Sequence, residues 1–248
     1  MARVDFDQFA SDYDRARGIA PGGLEGWRAA TAPRLSGLRA PVLDLGAGSG
    51  QFAYAFARWF DVRVLAVEPS AGMRRAAQAN GPDPRVAIVG GTAGNLPIRD
   101  ASCGAAWLST VIHHIPDLPA AARELRRVLL PGAPVLIRSS FPGRHDGITL
   151  FRYFPAAAAV ARTFPTVPET VAAFATAGFE VRSLAPVPQQ TAPDLASVRE
   201  RVILRADTTL RDLPAAEFAA GLAALDAAIA VGAGREPVID SLDLLVLA

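Results

Sequence analysis

An α/β fold, with a largely parallel sheet covered by helices on both faces, is what this sequence predicts, and three observations predict it. Short aliphatic runs recur, each followed by a segment with helical spacing of its apolar residues. The first such pair is joined by a glycine-rich turn, Gly46-Ala47-Gly48-Ser49-Gly50. Hydrophobic residues make up 51% and charged residues 20% of the 248. That balance supports a packed core in one unit of this length and argues against wholesale disorder.

The elements follow in order. PVLDL is a short buried-type strand, GAGSG breaks it, and Phe52, Phe56, Trp59 and Phe60 then fall on one side of a helix. Residues 62–68, VRVLAVE, are a second strand. The following PSAGMRRAAQAN favours a helix that Asn80-Gly81 ends. RVAIVG (85–90) and GAAWLST (104–110) are the third and fourth strands. A helix from about Asp117 carries Leu118, Ala122, Leu125 and Leu129 on one face until Pro131-Gly132 stops it. APVLIRSS (133–140) is the fifth strand. FPGRHDGITLFRYFP, rich in aromatics, Gly and Pro, then resembles an inserted flap. A helix over 168–177, a strand over 179–184 and two further helices follow. Leu195, Val198 and Val202 stripe the first of these helices, and Phe218, Leu222 and Leu225 the second. PVIDSLDLLVLA closes the chain as a strand. Ligands of such sheets bind beyond the carboxyl ends of the strands.

Composition excludes several chemistries. Every basic side chain is arginine, so enzymes that need a deprotonatable lysine, among them Schiff-base formers and pyridoxal phosphate anchors, have no residue to use. Cys103 is the one cysteine and there are three histidines, which leaves no disulfide within the chain, no thiolate-rich zinc site and no evident metal spacing. A net charge of +1 from 25 basic and 24 acidic residues shows no footprint for nucleic acid or an anionic membrane. The start, MARVDFDQFASDYD, has no signal-peptide run, and no apolar stretch is long enough to span a bilayer, so the expectation is a cytoplasmic protein.

The glycine turn and one acid carry the chemistry. Glycines at 46, 48 and 50 let the backbone approach a ligand, and N–H groups at the following helix start could bond to it, so a nucleotide-like ligand is expected. Gln51 stands where the dinucleotide fingerprint wants its third glycine, which counts against a nicotinamide or flavin. Glu68, at the end of the second strand, is placed either to accept bonds from both hydroxyls of a ribose or as a solvated loop acid.

VLDLGAGSGQF, VLAVEPSAGM, GTAGNLPIRDAS, WLSTVIHHIPDL and ELRRVLLPGAPVLI, taken in this order, resemble the successive motifs of the class I S-adenosylmethionine-dependent methyltransferases over roughly residues 5–185. The resemblance implies a Rossmann-like, doubly wound, seven-stranded sheet whose last strand, PVIDSLDLLVLA, is antiparallel, with an inserted lid and extra helices. It also implies one methyltransferase domain over 1–248, with a cap at 1–40, a cofactor-binding core at 41–140, a lid at 141–165 and the rest of the sheet with a helical insertion at 166–248. Carried over by position, Asp44, Gly46, Ala47 and Gly48 would hold the methionine portion of S-adenosylmethionine, and Glu68 and Pro69 its ribose side. Met73 would pack on the adenine or serve as a core residue. Thr92 and Ala93 would contact the adenine edge, although Thr92 and Gly94 replace the acidic residues common there. Ser109 would offer its carbonyl to the amino group, or be a plain strand-end serine. Tyr13 would close over the carboxylate end of the cofactor, with Arg17 one turn later as its partner or as a surface residue.

Methyl transfer from a sulfonium is an in-line displacement on an electrophile supplied already activated, so few catalytic groups are needed. A hydroxyl or ring NH acceptor would gain from a histidine base. The resemblance favours His114 paired with Tyr13, against the alternative that the His113-His114 pair only packs the helix start; His145 in the flap is a further candidate for substrate contact. The aromatic flap suggests an apolar or aromatic small-molecule acceptor, methylated on O, N or C, and a monomer or homodimer. The arginine- and alanine-rich, lysine-free composition suggests a bacterial source and specialised metabolism. The alternatives are a nicotinamide-dependent oxidoreductase and a cofactor-binding member that transfers nothing.

Overall fold

The computed structural model describes residues 15, 16, 18, 19 and 21–248. Seven strands form one sheet in the order β3-β2-β1-β4-β5-β7-β6: β1 Val42–Leu45, β2 Val64–Val67, β3 Val86–Val89, β4 Ala105–Ser109, β5 Val135–Ser139, β6 Val181–Ala192 and β7 Val238–Leu247. The first five pair in parallel, and β7 runs antiparallel between β5 and β6. β7 is the PVIDSLDLLVLA segment, as the resemblance implies.

Ten α-helices accompany the strands among the described residues: α1 Glu25–Leu35, α2 Gln51–Phe60, α3 Ala71–Ala79, α4 Leu118–Val128, α5 Thr149–Tyr153, α6 Pro155–Ala161, α7 Val167–Ala175, α8 Leu195–Val202, α9 Thr208–Arg211 and α10 Ala215–Ala230. Local chemistry sets their starts. Ser70, Asp117, Thr166, Asp194 and Asp207 each accept a backbone N–H of the turn that follows, and Thr166 with Glu169 completes a capping box.

The sheet separates two cores. Leu43, Leu45, Leu108, Val135 and Ile137 face α4 and α7, where Leu125 and Phe174 are fully buried. Val42, Val64, Trp107 and Leu136 face α1 and α2, where Trp27, Phe52, Phe56 and Trp107 form an aromatic cluster with Phe52 and Trp107 centroids 4.8 Å apart. Strands buried on both faces need continuous apolar runs, which is how they were legible.

The sixth strand is longer than its predicted span of 179–184. Residues through Ala192 pair with β7, including Pro186 and Pro188. An edge strand pairs on one side only, so a residue lacking an N–H is tolerated when that position faces away from the partner. The aromatic flap also contains regular structure, since α5 and α6 lie within 141–165. Phe154 and Ala157 from this segment share a third core with Leu195, Val202, Leu210 and Leu225 of the carboxyl-terminal helices. Two segments distant in sequence thus form one helical layer. Two contacts tie it to the sheet: Arg144 grips Asp243 with both nitrogens, at 2.7 and 2.9 Å, and Thr149 donates to Asp240.

Gly221 on α10 exists to admit Phe154. A Cβ there would lie 2.2 Å from the ring, and Phe154 is fully buried. Gly221→Ala is therefore expected to lower stability by about 1–3 kcal/mol through overpacking, despite alanine's better helix propensity. A fall of several degrees in Tm would register it; an unchanged or raised Tm would contradict this packing.

Candidate functional site

The carboxyl ends of β1, β4 and β5 and the helical layer enclose a cavity of about 240 Å³. It opens at the topological switch point, where the chain leaves β1 in one direction and β4 lies on its other side. Asp44, the glycine turn and Ser109 border it on the sheet side. Phe151, Phe164, Val198 and Leu210 border it on the helical side.

The turn takes its shape from three left-handed glycines, with φ of 72° at Gly46, 56° at Gly48 and 82° at Gly50. A Cβ on Gly46 would stand 2.4 Å from the Val111 side chain. Four N–H groups of the turn itself, ahead of the helix start, are already engaged. Gly46 and Ala47 donate to the Val67 carbonyl, Gly50 donates to the Ala47 carbonyl, and Gly48 donates to Glu68 Oε2 at 2.9 Å. The tight approach of β2 and Glu68 to the turn consumes three of these donors, and the turn itself the fourth.

Glu68 is buried, not a solvated loop acid. Its second oxygen accepts the Ser70 N–H at 2.9 Å, so one carboxylate fixes both the glycine turn and the start of the next helix. Beside it, Asp44 is 2% exposed and its Oδ2 has no hydrogen-bond partner. Burial, then the neighbouring charge of Glu68, push the Asp44 carboxyl up to about 8, against a counteracting bond from the Ala53 N–H. A buried acid with an unpaired oxygen bordering a cavity is suited to a cationic group, which favours its ionised form. It is unsuited to a pyrophosphate, which would meet two acids and few free N–H donors.

Not all predicted residues meet at the cavity. Asp44, Gly46, Ala47, Gly48 and Ser109 border it. Glu68 stands behind the turn. Met73 is buried, and the Ser70 side chain accepts its N–H. Pro69 and Thr92 are exposed, and Ala93 packs at the fringe of the α4 core; none of the three is in the cavity wall. Tyr13 and Arg17 lie outside the described residues.

The histidines divide. His113 borders the cavity with its ring stacked on Phe164, centroids 4.1 Å apart and planes within 8°. His114 turns its Nε2 toward the Thr208 hydroxyl at 3.4 Å and stands off the wall. His145 is buried with its ring edge against Phe151 and does not reach the cavity.

Sequence reading missed Arg138, which is 7% exposed at the cavity floor. It donates to Ser109 Oγ at 3.0 Å and to Gln189 Oε1 at 2.6 Å, and its guanidinium lies 4.9 Å from the Trp27 ring. Trp27 Nε1 shares the Gln189 acceptor. The available signal was an arginine inside VLIRS, a run whose every residue is buried. Gln189, Thr191 and Asp240 also line the cavity and carried no signal, because their approach depends on the pairing of β6 with β7.

Among the described residues no group of three potential ligand side chains could hold a metal ion, and no helix is long and apolar enough to cross a membrane. Residues 43–137 match the family described as "Methyltransferase domain". The chain is 32% identical over 148 residues to the ubiquinone/menaquinone biosynthesis C-methyltransferase UbiE of Caulobacter vibrioides, covering 55% of this chain and 59% of that protein. It therefore spans under two thirds of the length of that curated relative. A methyltransferase from an antibiotic biosynthesis pathway of Anabaena variabilis has the same fold, with a TM-score of 0.67 at 22% identity over 90% of this chain and 96% of that one. So has a phosphoethanolamine N-methyltransferase of Haemonchus contortus solved with S-adenosylhomocysteine, with a TM-score of 0.61 at 18% identity over 98% and 57%.

Proposed function

From the match of residues 43–137 to the methyltransferase domain family and the fold shared with solved methyltransferases, we propose that the chain is a class I S-adenosylmethionine-dependent methyltransferase that transfers a methyl group to a small-molecule acceptor. The observation that carries this reading is Asp44. A buried carboxyl with one unpaired oxygen beside a glycine turn suits a ligand that brings a positive charge, as the amino and sulfonium groups of this cofactor do. Asp44 and the turn would hold the methionine part, with Glu68 keeping the turn in shape on the ribose side. The cofactor supplies the activated methyl group; the protein positions the acceptor and keeps water out.

The acceptor side is built by the helical layer, which lies beyond residue 137. The quinone named for the Caulobacter relative is accordingly one acceptor to test among phenols, amines and carboxylates. Isothermal titration with S-adenosylmethionine, S-adenosylhomocysteine and NAD tests the cofactor. Binding of NAD alone overturns the reading. Incubation with methyl-labelled cofactor and the acceptor panel tests transfer, and tight binding with no label moved would favour a non-transferring member of the family.

For a hydroxyl or NH acceptor, the geometry favours His113 over His114 as the group that takes the proton. His113→Ala is expected to lower kcat by about 100-fold with cofactor affinity kept, the usual scale for a general base. His114→Ala is expected to change kcat only a few-fold. The reverse ranking in steady-state assays would restore His114 to the role that the resemblance implies.

A further inference from the structure

The end of the cavity formed by β6, β7, α5 and α8 contains an acid that neither cofactor binding nor the proton transfer above uses. Asp240 on β7 borders the cavity and is 6% exposed. Its Oδ1 accepts the Thr149 N–H at 2.9 Å and the Thr149 hydroxyl at 2.7 Å, and its Oδ2 accepts the Thr191 hydroxyl at 2.9 Å. All three donors are neutral. A carboxylate has about four acceptor sites, so Oδ2 keeps room for one more donor.

The other charged side chains bordering the cavity are engaged elsewhere. Arg138 bonds Ser109 and Gln189, and Arg201 donates to the Thr191 carbonyl. Asp207 accepts from Thr209, and Asp44 lies at the glycine turn. Among the described residues no basic side chain stands within ion-pair distance of Asp240. Three neutral donors hold the carboxylate but leave its charge unpaired, and among the described residues no adjacent side chain supplies a cation. The threonines hold the carboxylate in one orientation, which is the preorganisation that a binding site needs. Beside it, Phe151, Val198, Val202, Leu210 and Leu242 present an apolar wall.

We propose that Asp240 is the acceptor-recognition residue and that the acceptor is an amphiphilic amine, with an apolar body against this wall and a protonated nitrogen paired with Asp240. The inference rests on the cavity being the transfer site, and it sharpens the apolar acceptor expected from sequence by adding a cationic group.

The test uses three probes of one shape: phenethylamine, 2-phenylethanol and 3-phenylpropionate. Each is titrated calorimetrically into the full chain, with and without saturating S-adenosylhomocysteine. The expected result is that phenethylamine binds at least 10-fold more tightly than either of the others. In Asp240→Asn, which keeps the shape and removes the charge, that preference should shrink to within about 3-fold while 2-phenylethanol affinity holds. The proposal is overturned if 3-phenylpropionate binds as well as the amine, if none of the probes binds, or if a folded Asp240→Asn keeps the 10-fold preference. Should the variant fail to fold, the wild-type ranking decides. Failure of S-adenosylhomocysteine to bind would instead count against the methyl-transfer reading, because the amine preference is scored in its absence as well.

Discussion

Glu68→Ala is expected to reduce S-adenosylmethionine affinity by at least about 100-fold, equivalent to roughly 2.7 kcal/mol. The loss has two parts. The acid is expected to meet the ribose directly, and it also braces the turn by accepting the Gly48 and Ser70 N–H groups at 2.9 Å each. Without it two backbone donors lose their partner in a site where the side chain is only 6% exposed. Each unsatisfied donor costs about 1–3 kcal/mol, so Tm should fall together with affinity. Glu68→Gln separates the parts, because an amide keeps one acceptor oxygen and presents an NH2 where the other stood. It should recover part of the stability and little of the affinity. Calorimetric titration and thermal denaturation of the three proteins measure this, and an alanine variant that binds within a few-fold of wild type would remove Glu68 from the site.

Asp44 provides the second large effect, and it shows as a pH dependence. In the folded protein its pKa is about 8, against an ordinary 3.8. Between these values the folded chain retains a proton that the unfolded chain has released. The folded state therefore binds more protons, and stability falls as pH rises through that window. Below it the contribution is fully present; above it the whole difference has been lost. Asp44→Asn removes the titration, so its Tm relative to wild type should climb steadily from about pH 4 to pH 8. A pH-independent difference would show that Asp44 titrates normally.

Cofactor binding should couple to the same proton. A cationic group placed against Asp44 favours the ionised form and draws the pKa down, so binding near neutral pH should release up to one proton. Enthalpies measured in phosphate and in Tris should then differ in proportion to the buffers' ionisation heats. In Asp44→Asn the difference should vanish and the affinity should drop. Equal observed enthalpies in the two buffers for the wild type would mean that no charge arrives at this oxygen.

The candidate site was legible where chemistry is local. Three glycines in one turn, an acid before it and an acid after the next strand mark an expected ligand end without any tertiary information, because a turn and the strands on either side of it are contiguous in the chain. The use of the turn was not legible. Its N–H groups are consumed by the Val67 carbonyl and Glu68, contacts that exist only once β1 and β2 lie side by side. Which histidine borders the cavity likewise depends on a 3₁₀ turn at Ile112–His114, which aims one ring at Phe164 and the other at Thr208.

By itself, then, the sequence determined the strand and helix rhythm, the two buried faces of the sheet and the glycine turn with its acids. Periodicity and turn chemistry act over a few residues and are written directly in the order of side chains. Only the tertiary structure decided which side chains line the cavity. Arg138 and Ser109 come from neighbouring strands, Gln189 and Asp240 face each other across β6 and β7, and Thr149 arrives from the helical layer. These residues are far apart along the chain and carry no pattern that links them, so their joint chemistry appears only when sheet register and helix docking bring them to one place.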